Sequence, residues 1–213
     1  KAVEYAKMSW PQWPENKVSE PFYSSLAKVV SRLATKIQSS NPLCLEFGFG
    51  AGRMIWEISR ILPSATIIGV EMSPSMIAVA NDLLKGIAVT LIKGNAEKSG
   101  IKNEASDLTI SVNVLDRVRN TTKAVKELAR VTKKDGFILI ANAFDYELQF
   151  TPIEEHLTPK TTLDLLKKSG CEIVEDKNAE LAKILPSGEV KKYDEHILIL
   201  RKCRSQFSHQ EKK

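Results

Sequence analysis

Long apolar runs are missing from this chain of 213 residues: none approaches the roughly 20 residues needed to span a bilayer, and nothing at the start has the layout of a secretory signal. The expectation is a soluble, cytoplasmic protein. Cysteine is scarce, limited to Cys44, Cys171 and Cys203, which are widely spaced in apolar or strand-like surroundings. An odd count without a Cys-x-x-Cys pair argues against a disulfide framework, and the lack of a histidine pair argues against a metal site. A basic surface interleaved with aromatics is also missing. Of the net charge of +5, Arg201, Lys202, Arg204, Lys212 and Lys213 against Glu211 supply four units, so the excess sits on the last residues. A nucleic-acid surface would instead be a patch on the fold, and neither nucleic acid nor membrane is an expected partner.

What remains is the makeup of one globular domain, 43% hydrophobic and 27% charged, with enough apolar content for a substantial core. Lys1 stands where a methionine is expected, which implies a native start upstream. A leader rich in Trp and Pro (Trp10, Pro11, Trp13, Pro14, Pro21) runs into an amphipathic helix from about Pro21 to Ser39. After Pro42, apolar or β-branched runs alternate with helical patterns. The runs are Leu43 to Phe47, Thr66 to Val70, Ala88 to Lys93, Leu108 to Val112, Gly136 to Ala141, Cys171 to Glu175 and His196 to Arg201. The helices are Gly52 to Leu62, Pro74 to Lys85, Thr121 to Lys133 and Lys160 to Ser169. Such alternation predicts parallel strands with crossover helices, an α/β fold. The expected organisation is a leader and helix over 1–40 acting as a lid or cap, a domain over 41–203 and a basic tail over 204–213.

The densest signal is Leu-Glu-Phe-Gly-Phe-Gly-Ala-Gly-Arg, Leu45 to Arg53. Gly48, Gly50 and Gly52 allow a tight turn from strand to helix that passes close to a ligand. A dinucleotide turn would need a small residue where Arg53 stands, and a phosphate loop would need Gly-Lys followed by Ser or Thr. Glu46 beside the turn repels pyrophosphate and attracts an ammonium group. Glu71 ends the next strand about 20 residues on, the spacing of an acid that holds a ribose.

Glu-x-Gly-x-Gly-x-Gly, the acid after the second strand and Gly94-Asn95-Ala96-Glu97 after the third together resemble the class I S-adenosylmethionine-dependent methyltransferases, over roughly residues 40 to 142. The resemblance implies a three-layer α/β sandwich with a Rossmann-like, mostly parallel seven-stranded sheet and an antiparallel last strand. It implies S-adenosylmethionine as cofactor and S-adenosylhomocysteine as product. Glu46 would hold the amino group of the methionine moiety, with Gly48, Gly50 and Gly52 beneath it. Glu71 would take the ribose hydroxyls and Met72 would pack on the adenine. Asn95, where the family usually has Asp, would face the adenine amino group beside Ala96. Asn113, with Ser111, Val112 and Leu115, would line the cofactor near the reacting methyl. Asp135 stands where the family's turn before the fifth strand has Gly.

The donor methyl is already activated, so the expected chemistry is in-line displacement onto a small-molecule N or O nucleophile. His156, in the loop after the fifth strand, is the candidate general base, with a solvated loop histidine as the alternative. Tyr5, Trp10 and Trp13 are candidates for a lid over the donor or for staple packing, and Tyr146, Phe144 and Phe150 for a wall of the acceptor pocket. Asp116 and Arg117 would meet a charged acceptor or each other. An RNA methyltransferase and a non-catalytic, regulatory cofactor binder are the competing classes. Asn113 is not followed by the Pro-Pro-aromatic that methylation of a base amino group would need. Oligomeric state and the acceptor are not legible.

Overall fold

The structure, a computed structural model, describes residues 2–7, 10, 12, 17–146, 150–184 and 187–203. Trp13, the Leu185-Pro186 pair and the 204–213 tail lie outside these residues. Two helices, α1 (Ala2–Lys7) and α2 (Glu20–Ala34), precede β1 (Leu43–Phe47), α3 (Arg53–Ile61), β2 (Thr66–Glu71), α4 (Pro74–Leu83) and β3 (Val89–Lys93). Then come β4 (Ser106–Val112), α5 (Thr121–Val131), β5 (Thr132–Asn142), α6 (Pro159–Lys168), β6 (Cys171–Ile184) and β7 (Val190–Lys202).

The sheet runs β3-β2-β1-β4-β5-β7-β6. The first five strands pair in parallel, while β7 lies antiparallel between β5 and β6. Side chains alternate across the pleat, so Cys44 joins a core with α2, α3 and α4, while Leu45 and Phe47 join a second core with α5 and α6. The result is the expected three-layer sandwich. The order reverses between β1 and β4, and it is outside the carboxyl ends of strands at such a point that open α/β sheets place their ligands.

Local chemistry sets the helix starts. Ser73 accepts from the Met76 N–H ahead of Pro74, Asn120 accepts from the Lys123 N–H at 2.8 Å, and Thr158 and Thr161 form a reciprocal capping box. Asp135 takes the left-handed conformation at φ +64°, with its Oδ1 held by Arg201 at 2.7 Å, so the turn before the body of β5 forms without glycine there. Burial pushes the Cys44 thiol up to about 12 and that of Cys171 to about 11, which makes both packing residues rather than nucleophiles.

Three boundaries differ from the pattern in the sequence. Within the leader, α1 forms over six residues. Helix α5 ends at Val131, because Thr132 already pairs with Ser106 of β4. The last two strands are far longer than their apolar cores, pairing from Cys171 opposite Lys202 to Ile184 opposite Val190. Lys192 and Tyr193 are therefore inside β7. The polar run from Asp176 to Lys183 reads as loop because only Ala179 and Leu181 pack against the first core, the face opposite carrying charge at a sheet edge.

Arg53 explains its own presence next to the glycine turn. It is 3% exposed, and its guanidinium bonds Glu57 at 2.5 Å and Glu20 of α2 at 2.9 Å, beside the rings of Tyr23 and Trp56. The turn is thereby fastened to the leader helix. Arg53→Ala leaves the buried Glu57 with only the exposed Arg60 at 4.0 Å and is expected to lower stability by about 3 kcal/mol, read by urea unfolding. A loss below about 1 kcal/mol would place the pair among weak surface contacts.

Candidate functional site

The turn after β1 is held by backbone first. The Gly48 N–H donates to Val70 O at 2.7 Å, which ties it to β2, and the Gly52 N–H closes the turn on Phe49 O at 2.7 Å. Gly52 starts α3 at φ +84°, where a β-carbon would stand 2.7 Å from the Leu84 side chain. Its role is close packing of the turn on the end of α4. Gly50, at φ +55°, faces a cavity instead, with the Tyr5 ring above it.

That cavity, about 600 Å³, opens beyond the carboxyl ends of β1 to β4. Gly48, Gly50, Glu71, Met72, Asn95, Ala96 and Asn113 all line it, as does Tyr5. Glu71 organises this rim. Its Oε2 accepts the Gly50 N–H at 3.0 Å, and its Oε1 accepts the N–H groups of Met72 and Ser73 at 2.9 and 2.8 Å. Oε1 is thereby filled, while Oε2 keeps a lone pair for a further donor. Met72 is 62% exposed, an apolar side chain open to a flat partner. Asn95 Oδ1 receives the Glu97 N–H at 2.8 Å, and Glu97 in turn takes the N–H groups of Arg119 and Asn120, which fixes the third loop to the segment after β4.

Glu46 lies behind the turn at 3% exposure and is not among the lining residues. The Ile55 N–H in the first turn of α3 hydrogen-bonds to its carboxylate, while Oε2 has no partner. Burial pushes this carboxyl well above the usual range, the Ile55 bond opposes that, and Glu71 adds to it. A buried carboxylate with an open oxygen is satisfied by an arriving cation.

The leader divides its aromatics between two roles. Trp10 is a staple, its indole N–H donating to Ala51 O at 3.0 Å and its ring 5.9 Å from that of Trp56. Tyr5 faces the cavity. Among the aromatics of the loop after β5, Phe150 lines the cavity and Phe144 packs half-buried in the second core. His156 and Tyr146 stack on each other, centroids 3.9 Å apart and planes within 9°. His156 Nε2 lies 3.0 Å from Thr151 O, and the Tyr146 hydroxyl accepts the Leu157 N–H and donates to Leu157 O. Neither ring is among the residues lining the cavity. Asp116 and Arg117 form a pair at 3.5 Å, and Arg117 also borders the cavity.

One buried acid escaped the sequence pattern. Glu195 is 1% exposed, its Oε2 has no partner, and burial pushes its carboxyl to about 7. It stands one residue before the run from His196, and the signal for it was its phase: Glu195 shares the strand face of Ile197 and Ile199, both core residues.

Residues 45–140 match the family described as a methyltransferase domain. A sterol 4-C-methyltransferase of Caenorhabditis elegans is 22% identical over 134 residues, 61% of this chain and 39% of that protein. A human arsenite methyltransferase is 27% identical over 113 residues, 47% of this chain and 30% of that protein. The chain thus spans well under half the length of these curated relatives. The crystal structure of an S-adenosylmethionine-dependent methyltransferase from Aquifex aeolicus superposes with a TM-score of 0.65, over 95% of this chain and 98% of that one, at 15% identity. At that identity the likeness is one of fold. The family match begins on β1 and carries the glycine turn, Glu71 and the third loop with it, so over residues 45–140 this chain is similar to methyltransferase domains.

Proposed function

We propose that this protein transfers the methyl group of S-adenosylmethionine to a small-molecule nitrogen or oxygen nucleophile, releasing S-adenosylhomocysteine. The observation that carries the reading is the unpartnered, buried Oε2 of Glu46 behind a glycine turn whose cavity Glu71 rims. When bound, the cofactor supplies a methyl already activated on a sulfonium, so displacement needs alignment more than acid or base strength.

The chain's own groups provide that alignment. Ionised Glu46 holds the ammonium end, and Gly48 and Gly50 let the backbone lie against the ligand. Glu71 takes the ribose hydroxyls while it keeps the Gly50 N–H, so sugar binding and turn geometry share one carboxylate. Met72, Asn95 and Ala96 border the base. Tyr5 closes the cavity over Gly50 and excludes water, and Asn113 marks the edge toward the acceptor. The enclosure by Tyr5 favours a small acceptor. In this reading His156 and Tyr146, spent on Thr151 and Leu157, brace the loop after β5.

Titration calorimetry with S-adenosylhomocysteine tests the cofactor half, and absence of heat overturns it. Methyl transfer to small amines and phenols is expected, and transfer to bulk tRNA alone would replace the small-molecule reading. Glu71→Ala is expected to weaken S-adenosylhomocysteine binding by about 1 to 3 kcal/mol, and an unchanged affinity would remove Glu71 from the site. Gly50→Leu, strained at φ +55° and set against Tyr5 Cε1 at 3.3 Å, is expected to abolish binding while the far-ultraviolet circular dichroism stays native. Binding retained at wild-type affinity would put the ligand elsewhere.

The pH dependence follows from Glu46, whose folded value lies above its ordinary one. It must shed its proton to meet an ammonium, so binding releases protons and affinity rises with pH as the buried carboxyl ionises. Calorimetry in two buffers of different ionisation enthalpy measures that release. 5′-Methylthioadenosine, which lacks the amino acid moiety, is expected to show none of it, and equal proton release by both ligands would exclude Glu46 as the ammonium partner.

A further inference from the structure

Glu46 and Glu195 lie on the same face of the sheet, the face covered by the leader. Glu46 follows the phase of Cys44 on β1, and Glu195 that of Ile197 and Ile199 on β7. Each keeps one carboxylate oxygen without a partner, and Asp116 Oδ1 beside the carboxyl end of β4 is a third. The methyltransferase reading accounts for Glu46 only.

Glu195 lies next to the cofactor cavity without being among the residues that line it. Its neighbour His196 pairs with Asn142, the last residue of β5, so Glu195 stands just past the carboxyl ends of the parallel strands. It hydrogen-bonds the side chain of Asn113, which lines the cofactor cavity, so one side chain separates the two. Several elements face it: Lys183 from β6, Asp116 from the 3-10 turn over Leu115–Arg117, Asp145 from the loop after β5, and Tyr23 from α2. Lys183 holds its ammonium over the rings of Tyr193 and Tyr5, at 5.2 and 6.0 Å from their centroids. The carboxylates Glu195, Asp116 and Asp145 outnumber the cations Lys183 and Arg117 and leave these surroundings with an excess of negative charge. Among the described residues, no group of His, Cys, Asp and Glu is disposed to hold a metal ion.

An ionised carboxylate only accepts hydrogen bonds, so what completes Glu195 must donate one. In surroundings with more carboxylates than cations, a nitrogen base is favoured over a phosphate or a carboxylate. We infer that Glu195, with Asp116 beside it, binds the N–H of a small nitrogen base as the methyl acceptor, and that Glu195 takes the proton this nitrogen loses. The nitrogen lone pair forms the bond to the methyl carbon, and the carbon–sulfur bond breaks with its electron pair passing to sulfur. The proton moves from nitrogen to Glu195 Oε2. Charge balances, since the sulfonium's positive charge is discharged and the carboxylate is neutralised. Burial, which lifts this carboxyl to about 7 against the opposing pull of Lys183 and Asn113 and with the added push of Asp116 and Asp145, suits a base that works near neutrality.

This inference rests on the cofactor reading above, and its test separates the two. Wild type and Glu195→Gln are each titrated with S-adenosylhomocysteine, then at saturation with a panel of small amines and imidazoles and their alcohol and carboxylate counterparts, by calorimetry at about pH 8. Expected are equal S-adenosylhomocysteine affinities, a preference of wild type for the nitrogen bases, and a loss of about tenfold or more in that binding on Glu195→Gln, with Glu195→Asp intermediate. Binding of the bases to wild type is expected to fall as pH drops through about 7, as Glu195 protonates. Nitrogen bases that bind Glu195→Gln as well as wild type overturn the inference and leave the cofactor reading standing, as do alcohols that bind as tightly, or a panel in which no base binds. Failure of wild type to bind S-adenosylhomocysteine overturns both. Thermal melts guard against misfolding: Glu195→Gln is expected to melt higher than wild type at about pH 8 and alike at about pH 5, because only the ionised buried carboxylate opposes folding.

Discussion

The hydrogen bond from the Gly50 N–H to Glu71 Oε2, at 3.0 Å, couples the two halves of the cofactor site. Without it the glycine turn is a loop at the end of β1 and Glu71 an acid at the end of β2. With it, the turn has one conformation and the carboxylate one orientation. The same carboxylate collects the N–H groups of Met72 and Ser73, so the start of α4 is set by the group that rims the cavity. Gly52 serves this arrangement from behind, seated on Leu84.

The leader face concentrates buried charge, and it does so in two ways. Arg53 is fully engaged with Glu20, Glu57 and two rings, a closed cluster that fixes α2 on α3. Glu46 and Glu195 are the opposite case, each with an open oxygen, near a buried Tyr23 whose hydroxyl is held well above its ordinary range by burial first, with Tyr5 and the two carboxylates adding to it and Arg53 opposing. Buried polar groups left incomplete cost several kcal/mol each in an apolar setting, and such sites persist where a ligand completes them. The closed cluster supplies the stiffness that lets the open one exist.

How much of this was legible in the sequence follows from the range of the interactions involved. The order of strands and helices is a set of local patterns and the structure has it as the sequence predicts, while the glycine turn and Glu71 are equally local, a few residues with a fixed spacing. The α1 helix was hidden because six residues carry too little periodicity to register. The full hairpin of β6 and β7 was hidden because an edge ladder needs backbone pairing and little apolar content. The stacked pair of His156 and Tyr146 looked like chemistry in sequence since both residue types do chemistry, and only their bonds to Thr151 and Leu157 show where their polar atoms are spent. Glu195 lies 149 positions from Glu46 in a strand that starts at Val190, six residues before the apolar run from His196, so nothing local joins the two.

The family match ends at residue 140, and that boundary has a physical meaning. Up to that point lie the glycine turn, Glu71, the third loop and Asn113, which line the cavity. Beyond it lie Asn142, Asp145, Lys183 and Glu195, joined across the sheet by Tyr5 and Tyr23 from before the match begins. A sterol carbon and arsenite, the acceptors in the names of two relatives, share no hydrogen-bonding chemistry that one pocket could preserve. In this chain the segments flanking the match bring carboxylates to the strand ends, and in the proposed reading the selection of acceptor falls to the charge of residues on which the fold itself makes no demand.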